Sequence, residues 1–350
     1  MHIDKISEEI KKFKNNKYLQ ISFENKCDFI KREHPKISII ITLYNQEKYI
    51  KLVYISIQKQ EMKDIEIIFV DDASNDNSST IVKSLMSKDK RIIYLKNDIN
   101  RKTFYSRNRG VLNAKGEYII IIDPDDLLVN NILIKTYEIA KEYNLDIVHF
   151  YILKGKFYYQ RIWKEIKYTN GILHNNSEIR NFFYYGTSRN LADKLIKREI
   201  YIKSINFMSK DLYNEDYHIN DDDIALFGII HFANSYGFLE QIGYFYYQKK
   251  NHRKDKKKMN LIYRSMFNIL KYFYVQSDNN TLEKTMIPYA YFEKRVKKVY
   301  EKYLPYVTEG FDFILDVINL LSNSTYFNEN QKKTISNYKK KIIVRKNKAK

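Results

Sequence analysis

The chain has little of what several common architectures require. Among its 350 residues there is one cysteine, Cys27, so it builds neither an internal disulfide framework nor a multi-cysteine metal site. A reducing cytosol is the compartment this composition fits. Nine glycines and four prolines form no Gly-rich phosphate loop, no Walker-type lysine loop and no Gly-x-Gly-x-x-Gly motif. Nor is there a Pro/Gly/Ser linker to set off the last hundred residues or so as an independent domain. No apolar run approaches the roughly 20 residues of a bilayer span, and the segment from Met1 to Lys17 is charged rather than signal-like. These absences predict a soluble or membrane-peripheral, cytoplasmic protein.

What is present supports a packed fold. A hydrophobic content of 44% over this length is enough for one large α/β domain with an appendage, or for two modest domains. The net charge of +19 invites a nucleic-acid reading, because clustered Lys and Arg displace counterions from phosphate. However, the chain is also crowded with Ile, Asn, Tyr, Phe and Lys, as an AT-rich genome would produce, and such a bias is diffuse. The dense clusters are Lys249 to Lys258 and Lys339 to Lys350. They read as solvated loop and tail, or as contacts to an anionic membrane surface or phosphate. No nucleic-acid partner is expected: such a protein would place its basic residues on one face with aromatic stacking platforms, and these clusters lie outside the ordered motifs.

Residues 1–35 read as a polar, partly helical lead-in closed by Pro35. Short β-branched or apolar runs then alternate with helical spacing. Strands are predicted at Ile37 to Ile41, Ile65 to Val70, Arg91 to Leu95, Tyr118 to Ile122 and Asp146 to Ile152. Helices are predicted around Val53 to Ile57 and over Ser79 to Met86, Phe104 to Ala114 and Leu133 to Tyr143. This alternation argues for an α/β fold with a mostly parallel sheet covered on both faces. Residues 153 to 250, rich in Tyr and Phe, read as a mixed second half. Helical spacing returns at Ile262, Met266, Ile269 and Phe273, and from Phe311 to Leu321. The expected organisation is one α/β domain over 36–250, with halves 36–150 and 151–250, followed by a basic helical extension over 251–350.

In a parallel sheet of this kind, ligands bind beyond the carboxyl ends of the strands. There the chain carries Thr42-Leu43-Tyr44-Asn45, then Asp71-Asp72-Ala73-Ser74-Asn75-Asp76, then Asp123-Pro124-Asp125-Asp126. Carboxylates spaced by one residue can put two hard oxygen donors on one Mg²⁺ or Mn²⁺ and leave positions open for a diphosphate. The same tetrapeptide is also ordinary turn chemistry. Adjacent Asp71 and Asp72 repel unless loop amides or a ligand N–H engage them. The alternative for that segment is an Asx-turn with Ser74 or Asp76 capping the next helix.

These blocks resemble family 2 glycosyltransferases of the GT-A fold. The ordered matches are Pro35 to Asn45, Ile67 to Ser78, Ser106-Arg107-Asn108-Arg109-Gly110, and Gly116-Glu117-Tyr118 running into Asp123-Pro124-Asp125-Asp126. The resemblance covers about residues 35 to 250, more loosely after Tyr151, and implies a catalytic domain with a nucleotide-sugar half over 36–150 and an acceptor half over 151–250. It implies an inverting, metal-dependent transfer of a sugar from a nucleotide diphosphate, with a UDP-sugar favoured, to a hydroxyl of a glycan, lipid or protein. Thr42, Tyr44 and Asp72 match nucleoside-holding positions, with Tyr44 near the base and Asp72 accepting from its N–H. Arg107 matches a residue facing the diphosphate. Asp123 and Asp125 match the metal motif, with Asp125 the direct ligand, and Asp126 orients them or contacts the sugar.

The segment from Asn190 to Ile196, followed by Asn220-Asp221-Asp222-Asp223-Ile224, resembles the family's later block. Asp223 then matches the general base that takes the acceptor proton. Because the chain has a run of three Asp where the family has an acidic pair, a shift of one position makes Asp222 the base. The plain reading of the run is charge at the positive end of a helix, with Asp221 as N-cap. Gln248 stands where the family often has Arg, and His252 or Arg253 is a candidate for a late phosphate or metal contact, or is merely solvated. Two other readings remain: a catalytically inactive sugar-nucleotide or glycan binder of the same fold, and a nucleotidyltransferase, which the missing Gly-rich loop disfavours.

Overall fold

The computed structural model describes residues 30–31, 33–156, 159–162, 171–185, 188–208, 221–247, 311–323 and 327–349. Most of the lead-in, the cluster Lys249–Lys258 with His252 and Arg253, Gln248 and the helical reading at Ile262 to Phe273 lie outside the described residues. The chain divides into two compact units, Met1–Asp216 with Ala225–Lys250, and Tyr217–Ile224 with Asn251–Lys350.

The first unit is built on a sheet with strand order β3-β2-β1-β4-β8-β6-β9-β5, with β7 (Tyr159–Ile162) paired to β6. β1 (Ile37–Leu43), β2 (Ile65–Asp71), β3 (Ile92–Lys96) and β4 (Tyr118–Ile122) are mutually parallel. β2 and β4 are buried along their whole length and β1 nearly so. This explains why they read as unbroken apolar runs rather than alternating ones. β3 lies at the sheet edge and is only half buried. Alternate residues of β1 face opposite layers. Ile37, Ile39 and Ile41 share a core with Val53, Tyr54 and Ile57 of α1 (Ile50–Gln58) and Val82 of α2 (Ser78–Met86). Ile40 faces α3 (Lys102–Asn113), where a Cβ on Gly110 would lie 2.5 Å from Ile40 Cγ2 and 3.1 Å from Val70 Cγ2.

Two polar residues sit inside this apolar layer. Ser38 Oγ donates to Glu66 Oε1 at 2.5 Å, and the same carboxylate accepts from the Lys115 and Gly116 amides of the turn between α3 and β4. The Gly116 amide also donates to Ser38 Oγ at 2.8 Å. That turn hands the chain to β4 and so sets where its carboxyl end emerges.

Beyond β4 the sheet becomes mixed. A short β5 (Leu127–Leu128) and α4 (Ile132–Glu142) lead to β6 (Ile147–Lys156). α5 (Asn176–Tyr185) precedes β8 (Lys194–Lys197), which inserts antiparallel between β4 and β6. α6 (Arg198–Phe207) and α7 (Asp221–Phe232) follow, and β9 (Tyr236–Tyr247) returns parallel to β6 with a register shift around Tyr151 and antiparallel to β5. The strand positions expected from sequence agree with β1 to β4 and β6 to within a few residues at their ends. β5, β7, β8 and β9 lie in stretches where no strand was assigned.

In the second unit, α8 (Phe311–Ser322) and α9 (Glu329–Ala349) form a helical pair. Ile314, Val317, Ile318 and Leu321 are buried on α8, as are Ile335, Tyr338 and Ile342 on α9, at helical spacing. The basic stretch from Lys339 to Ala349 is therefore helix rather than loose tail. Its apolar spacing continues through Ile342, and Lys346 pairs with Asp312 of α8. No helix among the described residues is long and apolar enough to cross a membrane.

Candidate functional site

The parallel register brings three chain exits to one edge. Leu43 of β1 lies opposite Asp71 of β2, and Ile41 lies opposite Ile122 of β4. The loops after β1 and β2 are laced together. The Asn45 amide donates to Ser74 Oγ and the Asn75 amide returns a bond to Asn45 Oδ1. The Gln46 and Glu47 amides donate to Ser78 Oγ and Asp76 Oδ2. Asn45 and Ala73 take left-handed backbone conformations, with φ of 54° and 61°, which Asn tolerates better than Ala. Asp76, rather than Ser74, reaches the start of α2, accepting from the Ser78 amide at 3.0 Å.

The two adjacent carboxylates of this edge divide their work. Asp71 is fully buried and turns inward, accepting from the Ser74 amide at 2.9 Å and from the Tyr94 hydroxyl at 2.6 Å. Burial first, and then the Asp71 carboxylate, pushes the Tyr94 phenol up to about 12. Asp72 points to the loop between β3 and α3. Its Oδ1 accepts from Asn97 Nδ2 and the Arg101 amide, both at 2.7 Å, and its Oδ2 from the Lys102 amide at 2.7 Å. A carboxylate has about four acceptor directions, so one on Oδ2 is left for a further N–H. The loop that Asp72 holds leads into Lys102, the first residue of α3, which has a φ of 67°, and Ser106 Oγ accepts from Asn97 Nδ2 at 2.8 Å. Thr42 is half-buried at the end of β1, and Tyr44 is 45% exposed just beyond it. Arg107 is buried on α3, next to Ser106.

At the exit of β4, Asp123 and Asp125 are half-buried while Asp126 is buried. Asp126 faces inward. Its Oδ2 accepts from the Tyr244 hydroxyl at 2.8 Å and its Oδ1 from the Tyr247 amide at 2.8 Å, both on β9. The Tyr244 oxygen also accepts from the Asp123 amide at 3.1 Å. Asp126 therefore ties the turn to β9. Burial, then the charges of Asp123 and Asp125, push its carboxyl well above the usual range. This crowding of negative charge is what a cation would relieve. Among the described residues no group of three or more His, Cys, Asp or Glu side chains is arranged to hold a metal ion. The residues present fit a cation that shares its coordination with a diphosphate and water, and do not fit one enclosed by protein.

Asp221, Asp222 and Asp223 all lie in the first turn of α7, where the helix dipole favours anions. Asp221 is helical rather than the cap. Asp222 is half-buried and Asp223 is 5% exposed. Two residues of the edge were missed from the sequence. Asn97 follows β3 directly, so the rule that singled out the other strand ends would have found it. Tyr244 sits inside a run of aromatic residues that carries no local signal of its partner.

Residues 38–214 match the model of the family described as glycosyl transferase family 2. An uncharacterized glycosyltransferase of Methanocaldococcus jannaschii is 32% identical over 247 residues, covering 64% of this chain and 82% of that protein. The glycosyltransferase GlyG of Streptococcus pneumoniae is 38% identical over 112 residues, covering 32% of this chain and 37% of its own length, so the chain matches little more than a third of that relative. In structure, residues 1–349 of S. aureus TarS in complex with UDP-GlcNAc align with a TM-score of 0.61 at 16% identity, over 81% of this chain and 80% of that one. The likeness in structure shows a common GT-A fold. With the family match running from β1 through the Asp123–Asp126 turn and past α6, the chain belongs to glycosyl transferase family 2.

Proposed function

We propose that this protein transfers a sugar from a nucleotide diphosphate, with a UDP-sugar favoured, to a hydroxyl of a glycan, lipid or protein acceptor. The observation that carries this reading is the single edge at which Asp72, the Asn97–Lys102 loop and the Asp123–Asp125 turn converge. The remaining acceptor direction on Asp72 suits a base N–H, Tyr44 has the exposure to lie against a base, and Arg107 is the cation for the diphosphate. The likeness to TarS, whose structures hold UDP and UDP-GlcNAc, favours a uridine nucleotide. Asp123 and Asp125 would hold a divalent cation, Mg²⁺ or Mn²⁺, which supplies charge neutralisation for the departing diphosphate. The chain's own contribution is to orient the donor and to accept a proton. Asp223, or Asp222 if the register shifts by one, takes the acceptor O–H proton as that oxygen bonds to the anomeric carbon. As that bond forms, the bond to the diphosphate oxygen breaks on the opposite face and its electron pair leaves with the nucleoside diphosphate, so configuration inverts.

A panel of nucleotide sugars, assayed for binding and turnover with and without Mn²⁺ or Mg²⁺, tests the reading. Asp125→Ala is expected to abolish metal-dependent donor binding while the protein stays folded, and full activity in saturating metal would remove Asp125 from the metal site. Asp223→Asn is expected to lower turnover by about 10²–10⁴ with donor affinity near wild type. Full activity there with collapse in Asp222→Asn would assign the base to Asp222. Donor binding without any turnover in the wild type would favour the inactive binder.

A further inference from the structure

One buried polar cluster takes no part in the steps above. His149 on β6, Asp193 immediately before β8 and Lys194 at its start are all fully buried. Lys194 Nζ donates to Asp193 Oδ1 at 2.5 Å, to the Asn190 carbonyl at 2.6 Å and to the Ser188 carbonyl at 3.0 Å. It also lies 5.6 Å from the centre of the Phe183 ring on α5. The other carboxylate oxygen, Asp193 Oδ2, is 3.1 Å from His149 Nε2, and His149 Nδ1 is 2.7 Å from the Tyr236 hydroxyl on β9. The backbone is tied in as well, the Phe150 amide to the Asp193 carbonyl at 3.1 Å and the Lys194 amide to the Leu191 carbonyl at 3.2 Å.

A buried ion pair is a weak source of stability, because desolvation of the two charges offsets most of their attraction. An apolar pair of similar volume would hold β8 in the sheet equally well. What an apolar side chain cannot do is donate in three directions and so fix the carbonyls of both Ser188 and Asn190 in an irregular segment. That segment occupies a defined place. β8 runs antiparallel to β4 with Leu195 opposite Ile120, so the residues leading into β8 lie beside the exit of β4, towards Ile122 and Asp123. β1, β2 and β3, whose loops form the nucleoside side, lie on the other flank of β4.

We propose that Lys194, held by Asp193, is a positioning residue that fixes the Ser188–Ala192 segment as the wall of the site on the sugar side of the donor. The assignment rests on the transfer reading above for the identity of the ligand, but not for the anchoring itself.

The test uses the double variant Asp193→Asn/Lys194→Met, which removes both charges and leaves no uncompensated ion, compared with wild type by hydrogen exchange and by binding. The probes are the nucleotide sugar that binds best in the panel and its parent nucleoside diphosphate. Exchange in residues 188–193 is expected to rise by about tenfold or more, with residues 71–75 and 97–102 unchanged. Affinity for the nucleoside diphosphate should stay within about twofold of wild type while affinity for the nucleotide sugar falls about tenfold or more. Lys194→Gln, which keeps N–H donors without the charge, should give an intermediate loss and carries the test if the double variant does not fold. Unchanged exchange in 188–193 would overturn the anchoring. Raised exchange with equal losses for both probes, or none, would overturn the sugar-side wall. If wild type binds neither probe, the transfer reading fails and the wall with it, and exchange alone then decides whether Lys194 is an anchor.

Discussion

At the scale of single residues, the two adjacent aspartates show how the same side chain takes different work from its surroundings. Asp71 is enclosed by the Ser74 amide and the Tyr94 hydroxyl and serves the fold. Asp72 gathers Asn97, Arg101 and Lys102 and shapes the loop between β3 and α3. Its replacement is therefore expected to do more than remove one bond to a base. In Asp72→Asn the charge is lost and an N–H₂ faces at least one backbone N–H, so about 1.5–3 kcal/mol of charge-assisted bonding is disturbed. The expected outcome is a lower melting temperature together with weaker nucleotide binding, by tenfold or so. Asn97→Ala should reproduce part of the affinity loss with Asp72 intact. Wild-type thermal stability in Asp72→Asn, measured by calorimetry, would show that the carboxylate does not hold the loop.

Among the elements, β4 matters most for the site because it delivers Asp123 and Asp125, and its entry is set by a turn with no room to spare. A Cβ on Gly116 would lie 2.5 Å from the Ser38 amide nitrogen and 2.8 Å from the Ile37 carbonyl carbon, both backbone atoms that cannot swing aside. Gly116→Ala is expected to destabilise the protein by about 1–3 kcal/mol, the usual consequence of overpacking. Gly171, where a Cβ meets nothing within 4 Å, is the control, and Gly171→Ala should stay within about 0.5 kcal/mol of wild type. Urea denaturation of the two variants checks this. Equal stabilities would mean that the turn between α3 and β4 yields easily and that the Ser38–Glu66 bonds do not lock it.

For the whole molecule, the buried cluster under β8 makes stability depend on pH. Burial first, and then Lys194, hold the His149 imidazole down at about 4 against an ordinary 6.5, the Asp193 carboxylate opposing them. Asp193 is held at about 2 because Lys194 and His149 outweigh the cost of its burial. Both folded-state values lie below the unfolded ones, so in each window the unfolded chain binds more protons and acid favours unfolding. The His149 contribution is fully present above pH 6.5 and is lost as pH falls towards 4. The Asp193 contribution goes between its ordinary 3.8 and about 2. Unfolding free energy should therefore fall between pH 7 and pH 4 by at most about 3 kcal/mol from His149. The slope in that window should flatten in His149→Gln, and an equal slope in variant and wild type would show that other groups govern the acid limb.

The sequence alone determined the parallel half of the sheet and the residues at its edge. β1, β2 and β4 are apolar runs buried on both faces, a property of local composition, and the polar residues that follow each run can only sit at the strand ends. What those residues bind was decided by tertiary structure. Asp126 finds Tyr244 at a separation of 118 residues, and Asp72 finds its partners in a loop 25 to 30 residues away, distances that no periodicity encodes. β8 is a four-residue Lys-Leu-Ile-Lys strand, too short and too charged to be read as sheet. It becomes one because β4 and β6 each leave an open edge for it. Lys194 looks like a surface residue in the sequence. It is buried because Asp193 and the carbonyls of Ser188 and Asn190 replace the water its ammonium would otherwise need, and only the folded chain brings those acceptors together.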